Sequence, residues 1–211
     1  MYAAPAGQRR HFFIAGANEV RRFLIGRRII GAGEVTEAPH PTLRAWRADD
    51  FPAYVLLHSD PHIVQWLGGS LMNAEQMRAA FDRTRVFLDE HGWGMWAIVD
   101  NGLIVGAAGL QPVREPLPSA PGVEAAWRLA FQAQGKGLVT TAMRAVLPWA
   151  FAHIADLDEI QTFTAASNLK SQAVMQRLGF ERDRARDFEH PALPAGHPLR
   201  SHVFFAMKRP H

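Results

Sequence analysis

Apolar and polar positions change period between Val123 and Phe180. Val123, Ala125, Trp127 and Leu129 alternate with Glu124, Ala126, Arg128 and Ala130, the two-residue period of a strand. From Leu138 the apolar residues Val139, Met143, Val146, Ala150 and Ile154 recur at three- and four-residue steps, which puts them on one face of a helix. Asp158 to Thr164, rich in Thr, Ile and Phe, predicts a second strand. Ala165-Ala166-Ser167-Asn168 then leads into a short helix, Leu169 to Leu178, closed by Gly179 at the C′ position. The pattern is two consecutive strand-turn-helix units.

Upstream, Thr42 to Arg47 reads as a first strand, and Ala48-Asp49-Asp50 supplies a cap for a helix from Phe51 to about His58, ended by Asp60-Pro61. Asn73 to Glu90 predicts a helix with Met77, Ala80, Phe81 and Leu88 on its apolar side and an Asn73/Gln76 capping box. Gly94 to Val99 and Leu103 to Leu110 form a hairpin across Asp100-Asn101-Gly102, the strongest short-range hairpin signal in the chain. Gln111 to Gly122, with four prolines, reads as an exposed loop. Pro148 conflicts with the helix after Leu138, where a proline costs about 3 kcal/mol; because the apolar stripe continues on both sides, a kink is expected rather than two helices. Beyond Phe180 the chain runs through a Pro/Gly loop into a last strand, Val203 to Met207.

The junction at Gln132-Ala133-Gln134-Gly135-Lys136-Gly137 carries the chemistry. The first N–H groups of a helix lack intrahelical partners and sit at the positive end of its dipole, so a strand-to-helix turn is able to hold phosphate. Gly135 and Gly137 permit positive φ and a close ligand, and Lys136 adds a cation. The same residues are equally those of a tight loop that merely starts a helix.

Composition narrows the field. A chain of 211 residues, 48% hydrophobic, buries enough core for one domain. The expected division is a basic extension over residues 1–40 and a domain over 41–211. There are no cysteines, so disulfides, thiolate nucleophiles and cysteine-based zinc sites are excluded, which fits a cytoplasmic protein. Six arginines against three glutamates give residues 1–40 their +3, and the other 17 basic and 17 acidic residues cancel. The main domain therefore has no general basic field, and nucleic-acid binding by it is not expected. Arg9-Arg10 precedes an apolar run too broken for an export signal, and no run approaches the roughly 20 apolar residues of a membrane span. Asn18 to Ile30 reads either as a basic amphipathic helix for a partner or anionic surface, or as a plain extension. No metal site is expected. Pro61 separates His58 from His62, and His190, His197 and His202 lack a carboxylate at ligand spacing.

Trp127-Arg128-Leu129, Gln132 to Gly137, and Asn168-Leu169-Lys170-Ser171 through Val174-Met175 to Leu178-Gly179-Phe180 occur in an order and spacing that resembles the GNAT superfamily of acetyl-CoA-dependent N-acetyltransferases, in its RimJ/RimL-like branch. The resemblance runs from about Thr42 to the C-terminus. It implies an α/β (α+β) fold: a mixed, mostly antiparallel sheet of about six to seven strands, about four helices, and a splay between the fourth and fifth strands where the pantetheine arm lies. Carried onto this chain, the amides of Gln134, Gly135, Lys136, Gly137, Leu138, Val139 and Thr140 hold the pyrophosphate, Leu129 lies beside the pantetheine, and Asn168 binds near the thiol end. The loop at Trp66-Leu67-Gly68-Gly69 and the closing loop with His190 would shape the acceptor site, each against a plainer reading as packed core or structural histidine.

Transfer to a primary amine requires a base for the amine and a donor for the leaving thiolate. Many such enzymes place a tyrosine seven positions after the asparagine; Met175 stands there instead, which leaves Ser171, one helical step past Asn168, as the donor. Ser171 is also explained as the N3 residue of a helix capped by Asn168. Glu124 is the expected base, against the reading of a surface carboxylate paired with Arg128. Backbone groups of Leu129 and Ala130 are placed to orient the thioester carbonyl. The acceptor is a small-molecule amine or a protein N-terminus, and a homodimer is compatible with the pattern. The competing class is an acyl-CoA-binding sensor or adaptor without efficient chemistry.

Overall fold

The computed structural model describes residues 38–68 and 71–210, so the readings of the basic segment before Ala38, and of Gly69, lie outside it. In chain order the elements are β1 (Leu43–Arg44), α1 (Phe51–Ser59), α2 (Pro61–Val64), α3 (Ala74–His91), β2 (Met95–Asp100), β3 (Leu103–Val113), β4 (Gly122–Leu129), α4 (Leu138–His153), β5 (Glu159–Ala165), α5 (Leu169–Arg177), β6 (Glu181–Arg182), β7 (Phe188–Glu189) and β8 (Ser201–Lys208). The first strand is much shorter than the pattern predicts, because only Leu43 and Arg44 pair with β2, and beyond them the Trp46 indole N–H donates to the Met95 carbonyl at 3.0 Å from inside the core. Two short strands, β6 and β7, and the four-residue α2 bring the totals to eight strands and five helices among the described residues.

The sheet order is β1-β2-β3-β4-β5-β8-β6, with β7 also on β8. All pairings are antiparallel except β4 with β5. Asn101 and Gly102 take φ of 50° and 78°, the two positive values that a two-residue hairpin turn requires, and they set Asp100 against Leu103. β3 does not end at Leu110 as the prolines suggest. It runs through Pro112 because β2 stops opposite Gly109, so the missing proline N–H faces a side with no strand to receive it.

Two apolar clusters cover the two faces. Val123, Ala125, Trp127 and Leu129 of β4 join α4, α5 and the interior of β5 and β8 on one side. Met95, Ala97, Ala107 and Ala126 meet Tyr54, Leu57, Met77 and Phe81 of α1 and α3 on the other. α4 stays one helix through Pro148. Val139, Met143, Val146, Leu147 and Phe151 are all buried, and at about 1.5–3 kcal/mol each their burial outweighs the roughly 3 kcal/mol cost of the proline.

Candidate active site

The turn between β4 and α4 has the backbone the phosphate reading needs. Gly135 and Gly137 take φ of 81° and 76°, and a Cβ built on either meets nothing within 4 Å, so the space above them is open. No side chain caps α4, whereas Asn73 and Asn168 cap α3 and α5. The amides of Leu138, Val139 and Thr140 therefore stand at an uncapped N-terminus, beside the open glycine turn. Lys136 is placed differently from the expectation: its ammonium lies 3.1 Å from Asp100 Oδ2 at the hairpin tip. A second cation, missed in the sequence, stands at the turn instead. Lys170 Nζ donates to Gln134 Oε1 at 3.1 Å and sits 5.7 Å over the Phe131 ring.

β4 and β5 part almost as soon as they meet, pairing only at Glu124↔Gln161. The Ala130 N–H donates to Val105 O on the β3 side. By alternation along the strand, the backbone groups of Trp127 and Leu129 then face the opening on the β5 side, where no strand pairs with them. Leu129 O is touched there by Gln134 Nε2 at 3.3 Å. This corrects the part given to Ala130: its amide is engaged with β3, and only Leu129 of the two presents its N–H to the opening.

Across the opening, Asn168 Oδ1 accepts from the Ser171 backbone N–H at 3.2 Å while Asn168 Nδ2 donates to Thr164 Oγ1 at 3.2 Å. The capping role is thus real. The half-buried Ser171 hydroxyl makes no hydrogen bond among the described residues, and Met175 is core, 1% exposed.

On the opposite face of β4 the carboxylate of Glu124 is buried and accepts a 2.8 Å hydrogen bond from Gln111 Nε2. Desolvation pushes its pKa up to about 7, against the smaller opposing effects of the Gln111 bond and the Arg128 charge. It is neither exposed nor ion-paired with Arg128, which removes the surface-carboxylate reading. Sequence reasoning missed Gln111 by placing it in a loop, because Pro112 directly after it reads as the end of the strand. His58 is not a solvated or partly packed histidine. It is buried, stacked on Tyr54 at 3.9 Å, and its Nδ1 donates to Tyr54 O at 2.9 Å. Burial, then the Arg128 charge, lowers its pKa to about 4, so it is neutral at pH 7.

Two loops meet at the rim of this face. Trp66 is half-buried and belongs to neither apolar cluster, and a Cβ on Gly68 would stand 3.2 Å from Leu193 Cδ2 of the closing loop. His190 is fixed within that loop by the Ala192 N–H on its Nδ1 and packs with Phe188 and His202. Burial and the neighbouring His202 lower its pKa to about 4. No cluster of metal ligands occurs among the described residues, and no described helix is long and apolar enough to cross a membrane.

Residues 41–181 match the family profile described as the acetyltransferase (GNAT) domain. A stretch of 65 residues, 30% of this chain, is 37% identical to the putative ribosomal N-acetyltransferase YdaF of Bacillus subtilis, and spans 35% of that protein. Among solved structures the chain superposes on a RimL ribosomal L7/L12 alpha-N-protein acetyltransferase in complex with coenzyme A, with a TM-score of 0.63 at 18% identity over 79% of this chain and 92% of that one. A ribosomal-protein-S5-alanine acetyltransferase from Vibrio fischeri gives 0.61 at 19% identity over 79% and 92%. The two solved structures share the fold, and all three relatives are described as ribosomal or ribosomal-protein acetyltransferases, one of them RimL, which supports the RimJ/RimL-like branch. With the family profile covering more than half of its length, the chain belongs to the GNAT family, N-acetyltransferases that use acetyl-CoA.

Proposed function

We propose that the chain acetylates a primary amine by direct attack, with Glu124 as the base. The observation that carries the reading is the carboxylate of Glu124, buried on β4 and held by Gln111, on the strand whose far end borders the opening; burial there raises its pKa to about 7. A carboxylate with an ordinary pKa would be too weak a base at neutral pH, and a base works best near the operating pH. When bound, acetyl-CoA supplies the activated thioester. The uncapped start of α4 and the Gly135–Gly137 turn bind its pyrophosphate, and the Trp127 and Leu129 backbone pairs with its pantetheine arm. Glu124 takes one proton of the incoming ammonium, and the neutral amine attacks so that the new N–C bond forms as the C–S bond breaks. The Ser171 hydroxyl protonates the departing thiolate, and the second proton leaving the nitrogen restores the Ser171 hydroxyl. Holding both reactants against one strand does the rest.

The acceptor lies under the loops of Trp66 and His190, and the similarity to ribosomal-protein acetyltransferases makes a protein N-terminus one candidate acceptor beside small amines. The raised pKa favours an enzyme over an acyl-CoA sensor, for which a buried carboxylate at this face would be only a cost in stability. A thiol-release assay over small amines and N-terminal peptides tests the reading. Release that depends on the amine is expected; release unaffected by any amine, or none on a broad panel, overturns it.

A further inference from the structure

Arg128 is the group on the acceptor face that the mechanism leaves unused. Its Nε is buried without a hydrogen-bond partner, and among the described residues its guanidinium makes no ion pair. Four other half-buried arginines are engaged: Arg44 has Asp50, Arg186 has Glu159, Arg200 has Glu189, and Arg209 has the carbonyls of Phe151, Leu157 and Ile154. The groups around Arg128 are already engaged. Its charge reaches Glu124 and Tyr54, where it opposes the rise in pKa that burial causes, and His58, where it adds to the fall that burial causes. Glu124 is held by Gln111, and His58 donates to Tyr54 O.

Its position in the sheet gives it an open side. Arg128 lies opposite Ala107, which lies opposite Ala97, and both alanines are covered by the apolar cluster of α1 and α3, so the open side is the other one. On the β5 side it has no neighbour, because the strands part after Glu124↔Gln161. The side chain points to the same face as Glu124, four residues along one strand. A partly desolvated guanidinium without an acceptor, beside an opening and on the face of the base, is matched by a ligand that brings its own acceptor. A carboxylate fits the planar fork with two parallel charge-assisted bonds.

We infer that Arg128 anchors a carboxylate of the acceptor, so that the preferred substrate is an amine that also carries a carboxylate, the carboxylate on Arg128 and the amine toward Glu124. This rests on the acetyl-transfer reading above. Two sources share this chemistry, a free amino acid and a peptide N-terminus with an acidic second residue, and matched pairs separate them: amino acids against their amides, and N-terminal peptides with Asp or Glu against Asn or Gln at the second position.

The experiment is kcat/KM for each pair with the full chain and with Arg128→Gln and Arg128→Lys, plus calorimetric binding of each acceptor to the protein loaded with coenzyme A. The wild type is expected to favour the carboxylate member of at least one pair about tenfold or more, in turnover and in binding. That ratio should fall to near parity in Arg128→Gln and stay partly intact in Arg128→Lys. Equal use of acid and amide in every pair by the wild type, or a ratio that survives in Arg128→Gln, overturns the anchor while leaving acetyl transfer standing. No acetylation of any member despite bound acetyl-CoA overturns both. If Arg128→Gln turns over too slowly for kinetics, the binding ratio decides by the same criterion.

Discussion

Glu124→Gln removes the base while keeping the shape, and its effects on turnover and on stability have opposite signs. The amide fills the same buried volume and still accepts from Gln111 Nε2, now 2.8 Å from the carboxylate. Loss of a positioned base lowers turnover by about 10²–10⁴-fold. In the wild type kcat/KM should rise with pH through about 7, the value to which burial raises the carboxyl, and then level off. Its folded pKa stands above the ordinary 4.5, so the folded state holds the proton more tightly. The stability this contributes is complete below about pH 4.5 and is lost as pH rises through about 7. The interval of about 2.5 units corresponds to roughly 3 kcal/mol. Glu124→Gln escapes that loss, so at pH 8 its melting temperature should lie several degrees above wild type although it is nearly inactive. Steady-state thiol release from pH 5.5 to 8.5 and thermal melts at pH 5 and 8 measure both. Turnover within about twofold of wild type, or a flat wild-type profile through pH 7, refutes the assignment of Glu124 as the base.

His58 should show the reverse slope. Its folded pKa of about 4 lies below the ordinary 6.5, so its contribution is intact above 6.5 and is lost as pH falls toward 4, a sense shared by His190 and His202. Melts of His58→Gln between pH 7 and 4 should be flatter than wild type; an unchanged slope removes His58 as the cause. Ser171→Ala should lower kcat by about a hundredfold, measured by thiol release, while α5 remains folded because the cap uses the Ser171 backbone N–H and not its hydroxyl. Asn168→Ala should cost about 1 kcal/mol of stability through the lost cap, read from denaturant unfolding, and should also weaken acetyl-CoA binding.

What could be read from the sequence was local. The Asn101-Gly102 turn, the Asn73/Gln76 capping box, the Gly179 stop at φ 87° and the α4 stripe each follow from residues within a few positions of one another. The glycine turn belongs with them, since positive φ at Gly135 and Gly137 is a property of those residues in that place. What escaped depends on partners distant in sequence. Gln111 was hidden because Pro112 reads as a loop until one knows that β2 has ended beside it. Glu124 showed its face by alternation, but its burial comes from elements packed from elsewhere in the chain. Lys136 is held by Asp100, 36 residues before it, and Lys170, which had no role in the sequence reading, reaches Gln134 at the turn. The short β6 and β7 have no periodicity of their own and exist only because β8 offers its backbone.

The central claim is that the Gly135–Gly137 turn and the uncapped start of α4 hold the pyrophosphate of acetyl-CoA. Calorimetric titration of the full chain with acetyl-CoA and with acetyl-pantetheine, which lacks the pyrophosphate, tests it most directly, with Gly137→Ala alongside. The account predicts that acetyl-CoA binds at least about a hundredfold more tightly than acetyl-pantetheine, the sum of several amide and dipole contacts, and that Gly137→Ala, strained at a φ of 76°, erodes that difference. Equal binding of the two donors, or no binding of acetyl-CoA, would contradict it.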